Sequence, residues 1–163
     1  MAGDARINGR IRIERCFDPA LVTEIITNPK IYPHVSDDYS PPQDEFTAER
    51  LVQNAWIYFL TPIFEERTVG VFMVHGHNGV MYEVHTCILP EFWGKSVEAA
   101  KVGTQWMFEN TPCRKLITLV PVYNRLAYRL ALRAGMKDQG IITKSFLKNG
   151  TLFDQYVLGI EKG

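Results

Sequence analysis

The chain has 163 residues, 46 % of them hydrophobic and 22 % charged, enough for one domain that buries about 70 % of its unfolded surface. Its 18 basic and 18 acidic residues cancel, which excludes the clustered basic excess of a large nucleic-acid footprint. Cys16, Cys87 and Cys113 form an odd set without CxxC spacing, which excludes a disulfide framework and points to a reducing compartment.

Met1–Arg12 carries no apolar stretch of the kind a signal peptide needs, and no run approaches the about 18 apolar residues of a membrane span. Arg10–Cys16 alternates charge with isoleucine and reads as an opening strand. Asp18-Pro19 supplies an N-cap followed by proline at the first helical position, and Leu21, Val22, Ile25 and Ile26 form the apolar face of that helix. Asn28-Pro29 ends it. Residues 30–45 read as a Pro-rich loop carrying His34, Asp37, Asp38 and Tyr39, with a short helix over Asp44–Val52. Strands follow at Ala55–Leu60, Val69–His75 and Val80–Leu89. Asn78-Gly79 between the last two predicts a type I′ turn, which needs positive φ twice.

Ser96–Asn110 reads as a helix with Trp106, Met107 and Phe108 in the core, and Lys115–Val122 as a buried strand. Asn124 caps a helix running to Ala134, with Gly135 in the C′ position. A closing hairpin pairs Gly140–Leu147 with Thr151–Ile160 around Lys148-Asn149-Gly150. Antiparallel strands followed by a βαβα unit predict a single α/β domain over residues 1–163, with a mixed central sheet and helices on both faces.

The segment Pro90-Glu91-Phe92-Trp93-Gly94-Lys95-Ser96 lies where a strand hands over to a helix N-terminus. Free N–H groups at a helix start hold anions, so Gly94, Lys95, Ser96 and Val97 are candidate contacts for a pyrophosphate. On the strand before it, Glu83, His85, Cys87 and Leu89 share one face, and Tyr82, Val84, Thr86 and Ile88 the other. Glu83 and His85 therefore project the same way, as a pair able to move a proton directly or through water, or as a plain polar sheet face. Cys87 has no basic neighbour in its apolar strand and is not read as a nucleophile. His75 and His77 have no third ligand at recognisable spacing, so no metal site is expected. Arg125, Arg129 and Arg133 recur every four residues on one helix face, either solvated or facing a phosphate or acidic partner.

Three segments resemble the GNAT superfamily of acyl-CoA-dependent N-acetyltransferases. Leu89–Glu98 is similar to its pyrophosphate loop, and Asn124-Arg125-Leu126-Ala127 with Gly135-Met136 to its Asn-x-x-Ala helix. Asn149–Asp154 resembles the closing hairpin of members that modify protein N-termini. The runs Tyr82–Cys87 and Ser145–Lys148 most resemble phage-encoded members. The resemblance implies a GNAT-like fold and acetyl-CoA as cofactor. It also implies main-chain contacts from Cys87, Ile88 and Leu89 to the pantetheine arm, Asn124 beside the cofactor, and an acceptor site built partly from residues 30–45. The family's general-acid tyrosine falls at Ala131, and Tyr128, about 60° away around the helix, is the candidate in its place, with Tyr123 nearby. Trp93 stands at the usual Arg or Gln, and Ser96 and Glu98 at the two glycines. A Glu98 carboxylate about 5 Å from a pyrophosphate costs about 3 kcal/mol at an effective dielectric of about 20.

The resemblance implies transfer of an acetyl group from acetyl-CoA to an amine by direct attack, the acceptor being a small molecule or a peptide N-terminus. The expected setting is the cytoplasm, that of the host for a phage protein, without membrane or nucleic-acid partners; the sheet-edge homodimers common in the superfamily leave a homodimer open, and the sequence does not decide it. Ala131 and Glu98 motivate two alternatives on the same fold: a catalytically inactive phage protein acting as a binding or virion-associated module, and a noncatalytic CoA sensor.

Overall fold

Asp18 begins the first helix as the sequence predicts: its carboxylate accepts the amides of Ala20 and Leu21 at 3.0 and 3.3 Å, with Pro19 at the first helical position. In the computed structural model, which describes residues 10–163, this helix α1 (Pro19–Ile26) follows strand β1 (Arg12–Arg15). Most of the Met1–Arg12 stretch lies outside the described residues. The 30–45 loop is not structureless, because Tyr32–Val35 forms a single helical turn, α2. The helix expected over Asp44–Val52 is only Glu49–Val52, α3, with no side chain capping its start. No helix among the described residues is long and apolar enough to cross a membrane.

The strands are β2 (Ile57–Phe64), β3 (Arg67–Thr68), β4 (Gly70–Gly76), β5 (Met81–Ile88), β6 (Lys115–Pro121), β7 (Lys137–Lys148) and β8 (Thr151–Glu161). They form one sheet in the order β1-β2-β4-β5-β6-β8-β7, with β3 folded back on β2. Among the described strands only β5 and β6 run parallel. Helix α4 (Ser96–Asn110) connects that pair, and α5 (Arg125–Arg133) follows β6. The second strand extends past Leu60 to Phe64, because Glu65 and Glu66 at φ 49° and 62° turn the chain back onto β3.

The type I′ expectation fails at Asn78-Gly79, where neither residue has positive φ. The Asn78 side chain instead accepts the amides of Val80 and Met81 at 2.9 and 2.8 Å, an Asx-type closure of a longer loop. The final hairpin has the predicted geometry, with Asn149 and Gly150 at φ 52° and 76°.

One sheet face packs Leu60, Phe72, Val74, Tyr82, Leu116 and Leu158 against Met107 and Phe108 of α4, with Trp106 half-buried at the margin. The opposite face packs Phe59, Val71 and Cys87 against Val22, Ile25 and Ile26 of α1. Gly70 and Cys87 sit where β4 and β5 nearly touch: a Cβ at Gly70 would lie 2.2 Å from the Cys87 carbonyl oxygen.

Candidate active site

Strands β5 and β6 pair only over Met81–Glu83 and Lys115–Ile117, although both run on, to Ile88 and Pro121. On their outer flanks both strands stay fully paired, β5 by seven register pairs to β4 and β6 by seven to β8. A last stitch spans the parting, from Thr118 Oγ1 to the Val84 carbonyl at 3.1 Å. Beyond it, the inner edges of Val84–Ile88 and Thr118–Pro121 face one another without a strand ladder.

This gap opens into two connected cavities. The inner one, about 290 Å³, is lined by Glu83, Val84, His85, Thr118 and Ala131, among others. The outer one, about 560 Å³, is bounded by Lys30, Trp93, Ser96, Val97, Arg129 and Arg133. They share His34, Val35, Thr86, Asn124, Ala127 and Leu130, so a groove with a cationic mouth leads to an inner end holding Glu83 and His85.

Glu83 is only 7 % exposed. Its Oε1 lies 2.8 Å from His77 Nε2 and 3.9 Å from His75 Nε2, and its Oε2 lies 3.3 Å from His85 Nε2. The His75 and His85 Nε2 atoms are 3.1 Å apart. Register builds the cluster: His75 faces Glu83 directly across β4–β5, and the two-residue period adds His85 and, past the strand end, His77. Burial holds the His85 imidazole below its ordinary value, against the upward pull of the Glu83 carboxylate. His85 is therefore a neutral group at neutral pH, able to accept a proton and pass it to the carboxylate behind it.

The roof of the inner cavity comes from the 31–40 segment, which contributes His34, Val35 and Asp37, and from Phe146 of β7. The closing hairpin holds this roof down. Lys148 Nζ donates to the carbonyls of Pro33 and Ser36, both at 2.7 Å, and the Asp38 carboxylate accepts the amides of Asn149 and Gly150 at 2.7 and 2.8 Å. Of residues 30–45, expected to help form an acceptor site, His34, Val35 and Asp37 line this cavity.

The segment expected to cradle a phosphate is arranged differently from the sequence reading. Pro90–Lys95 is a 3-10 turn leading directly into α4, and the first amide of that helix, Ser96, donates to the Trp93 carbonyl. Lys95 does not reach the groove, because its ammonium lies 4.2 Å from the centre of the Phe64 ring. Gly94 and Leu89 also lie outside the linings, whereas Ser96 and Val97 line the outer groove with Cys87, Ile88 and Asn124. Trp93, at the usual Arg or Gln position, donates its indole N–H to the Ile88 carbonyl at 3.0 Å and ties the turn to the end of β5. Glu98 lines neither cavity. Asn124 caps α5 through the Ala127 amide at 3.1 Å and stands where the cavities meet.

Tyr128 does not join the site. Its hydroxyl donates to Asp138 Oδ2 at 2.8 Å, its ring packs 4.4 Å from Tyr156, and that carboxylate contact raises the phenol above its ordinary value. Being three residues short of Ala131 turns it toward β7. Tyr123 likewise packs on Phe153, outside both cavities. Cys87 is buried in the apolar face, its thiol pushed up to about 12, which suits an inert core residue. Arg129 and Arg133 are exposed and border the outer groove, whereas Arg125 does not. His75 and His77 were separable from the turn only through the hairpin register, which sets His75 opposite Glu83.

No family model matches the chain, and no curated protein matches it. Solved structures do. A spermidine N-acetyltransferase from Vibrio cholerae, in complex with CoA and spermine, is similar over 93 % of this chain and 95 % of that one, at TM-score 0.77 and 17 % identity. A GNAT-family acetyltransferase from Bacillus anthracis is similar over 93 % and 95 %, at TM-score 0.72 and 21 % identity. A ribosomal-protein-S5-alanine acetyltransferase from Vibrio fischeri is similar over 93 % and 91 %, at TM-score 0.70 and 14 % identity. The chain has the GNAT acetyltransferase fold.

Proposed function

We propose that this chain, built on the GNAT acetyltransferase fold, is an acyl-CoA-dependent N-acetyltransferase acting by direct attack of an amine. The observation that carries the reading is the parting of β5 from β6 after Glu83, with a cationic groove at one end and the Glu83–His85 pair at the other. Lys30, Arg129 and Arg133 would receive the phosphates, and the unladdered backbone of Val84–Ile88 would hydrogen-bond the pantetheine amides. Acetyl-CoA supplies the activated acyl carbon. His85 would take the proton released by the amine and deliver it to Glu83, whose other oxygen is held by His77. Asp37 and Glu83, both lining the inner cavity, favour a cationic acceptor, a small polyamine or a peptide N-terminus.

The test is calorimetric titration with CoA and acetyl-CoA, followed by an amine panel on the wild type and Glu83→Gln. Micromolar CoA affinity retained in the variant, with turnover lowered at least about 100-fold, is expected. Full turnover in Glu83→Gln removes the carboxylate from the mechanism.

A second reading rests on the engagement of the Ser96 amide by Trp93 and of Tyr128 by Asp138. It makes the chain a noncatalytic module on the same fold, such as a phage or virion-associated binding protein. Absence of CoA binding with stable association to another protein would favour it.

A further inference from the structure

We propose that His75, Glu83 and His85 bind a first-row divalent metal ion of the zinc type, with His77 positioning the carboxylate. This goes beyond the acetyl-transfer reading and does not rest on it; an ion held there would occupy the His85–Glu83 contact, so the proton relay described above belongs to the metal-free chain. The ligand atoms of the three residues all lie within 4.8 Å of one another. Zinc bonds to imidazole nitrogen and carboxylate oxygen at about 2.0–2.2 Å, so neighbouring ligands in a tetrahedral shell lie about 3.3–3.6 Å apart. The contacts here are close to that: 3.1 Å between the His75 and His85 Nε2 atoms, and 3.3 Å from His85 Nε2 to Glu83 Oε2. His75 Nε2 lies 3.9 Å from the other carboxylate oxygen, Oε1, so the carboxylate must turn slightly to present one oxygen to both imidazoles.

The hydrogen-bond bookkeeping points the same way. An imidazole nitrogen has one in-plane site, either a proton or a lone pair. His85 Nε2 nevertheless faces two partners at bonding distance, His75 Nε2 and Glu83 Oε2. With a proton, it can satisfy one of them well; with a lone pair, it opposes the carboxylate. A cation at the centre satisfies all three ligand atoms together. His77 Nε2, 2.8 Å from Glu83 Oε1, orients the carboxylate from behind, as partners of metal-bound carboxylates do. Two imidazoles and one carboxylate suit zinc or its first-row neighbours rather than magnesium or calcium. Both strands are locked in register, so the ligands are preorganised, and the inner cavity beside Glu83 and His85 leaves a fourth position for water or another ligand.

The experiment uses the full chain stripped with a chelator, then titrated with Co2+ followed visibly and with Zn2+ by calorimetry, with Mg2+ as a comparison. One equivalent of Co2+ is expected, with the intense visible bands of a four-coordinate ion, displaced by Zn2+ and unaffected by Mg2+. His77→Ala should weaken Zn2+ binding about 10–100-fold, and His75→Ala and His85→Ala should each weaken it further. His34→Ala, outside the cluster, should leave it unchanged. Thermal melting of each variant, with His75→Gln as a size-preserving second substitution, separates lost ligands from lost fold. CoA affinity, measured on the same samples, reports the acetyl-transfer reading separately. Absence of saturable Co2+ and Zn2+ binding to the folded chain would overturn the assignment. So would binding that survives both His75→Ala and His85→Ala, or that falls equally in His34→Ala.

Discussion

Asp38 and Asn149 are joined across 111 positions of sequence: the Asn149 amide donates to Asp38 Oδ1 at 2.7 Å, and the next amide donates to the other carboxylate oxygen. This pair fastens the tip of the closing hairpin to the segment that roofs the inner cavity. The positive φ of Asn149 and Gly150 aims both amides at one carboxylate. Asp38→Ala is expected to cost about 1–2 kcal/mol of stability in urea unfolding and to speed hydrogen exchange at Asn149 and Gly150. Unchanged exchange there would mean that the clamp does not hold in solution.

The cationic rim makes a charge prediction. Arg129→Glu and Arg133→Glu are each expected to weaken CoA binding about tenfold at low salt, equivalent to about 1.4 kcal/mol, and less at high salt because the groove mouth is solvated. Arg125→Glu, on the same stripe but outside the groove lining, is expected to have a smaller effect. Equal losses for all three would assign the effect to general charge.

Gly70 has no room for a side chain. Because the added Cβ would meet backbone at 2.2 Å rather than a yielding side chain, Gly70→Ala is expected to cost about 3 kcal/mol. At Gly103 the neighbour is the Phe72 ring at 3.1 Å, which can shift, so Gly103→Ala is expected to cost less. Thermal melts of the two variants give the order directly, and the reverse order would contradict the β4–β5 contact.

Burial raises the Cys87 thiol from 9.0 to about 12. Between those values the folded chain keeps a proton that the unfolded chain releases. This contribution is therefore whole below about pH 9 and is lost as pH rises toward 12, at most about 4 kcal/mol. Urea unfolding from about pH 8 to about pH 11 should show a steeper decline in the wild type than in Cys87→Ala. Parallel declines would place the thiol in a wetter setting.

Much of this architecture is legible in the residues. Asp18-Pro19, Asn124 and Gly135 bound their helices as capping chemistry predicts, because a cap is decided by neighbours in sequence. Asn78-Gly79 misled because the Asn78 side chain can satisfy the same amides without positive φ. The 3-10 turn of Pro90–Lys95 was not legible in the phosphate segment, because a helix start read from sequence does not show how the chain winds into it. Glu83 and His85 were found by alternation on one strand. Their partners His75 and His77 needed the register of two strands, a long-range fact set by the loop between them.

The three pairs that join β5 to β6 have a consequence for how the molecule behaves as a material. Two half-sheets meet along a seam closed at one end, and along the open length Val84–Ile88 and Thr118–Pro121 face each other without a strand ladder, the Val84 and Ile88 carbonyls already engaged by Thr118 and Trp93. A ligand with amides along an extended chain would serve there as a guest strand, knitting the halves together. Its binding would stiffen the whole sheet, including β7, which the ligand does not touch, and the melting temperature would then report occupancy of the seam.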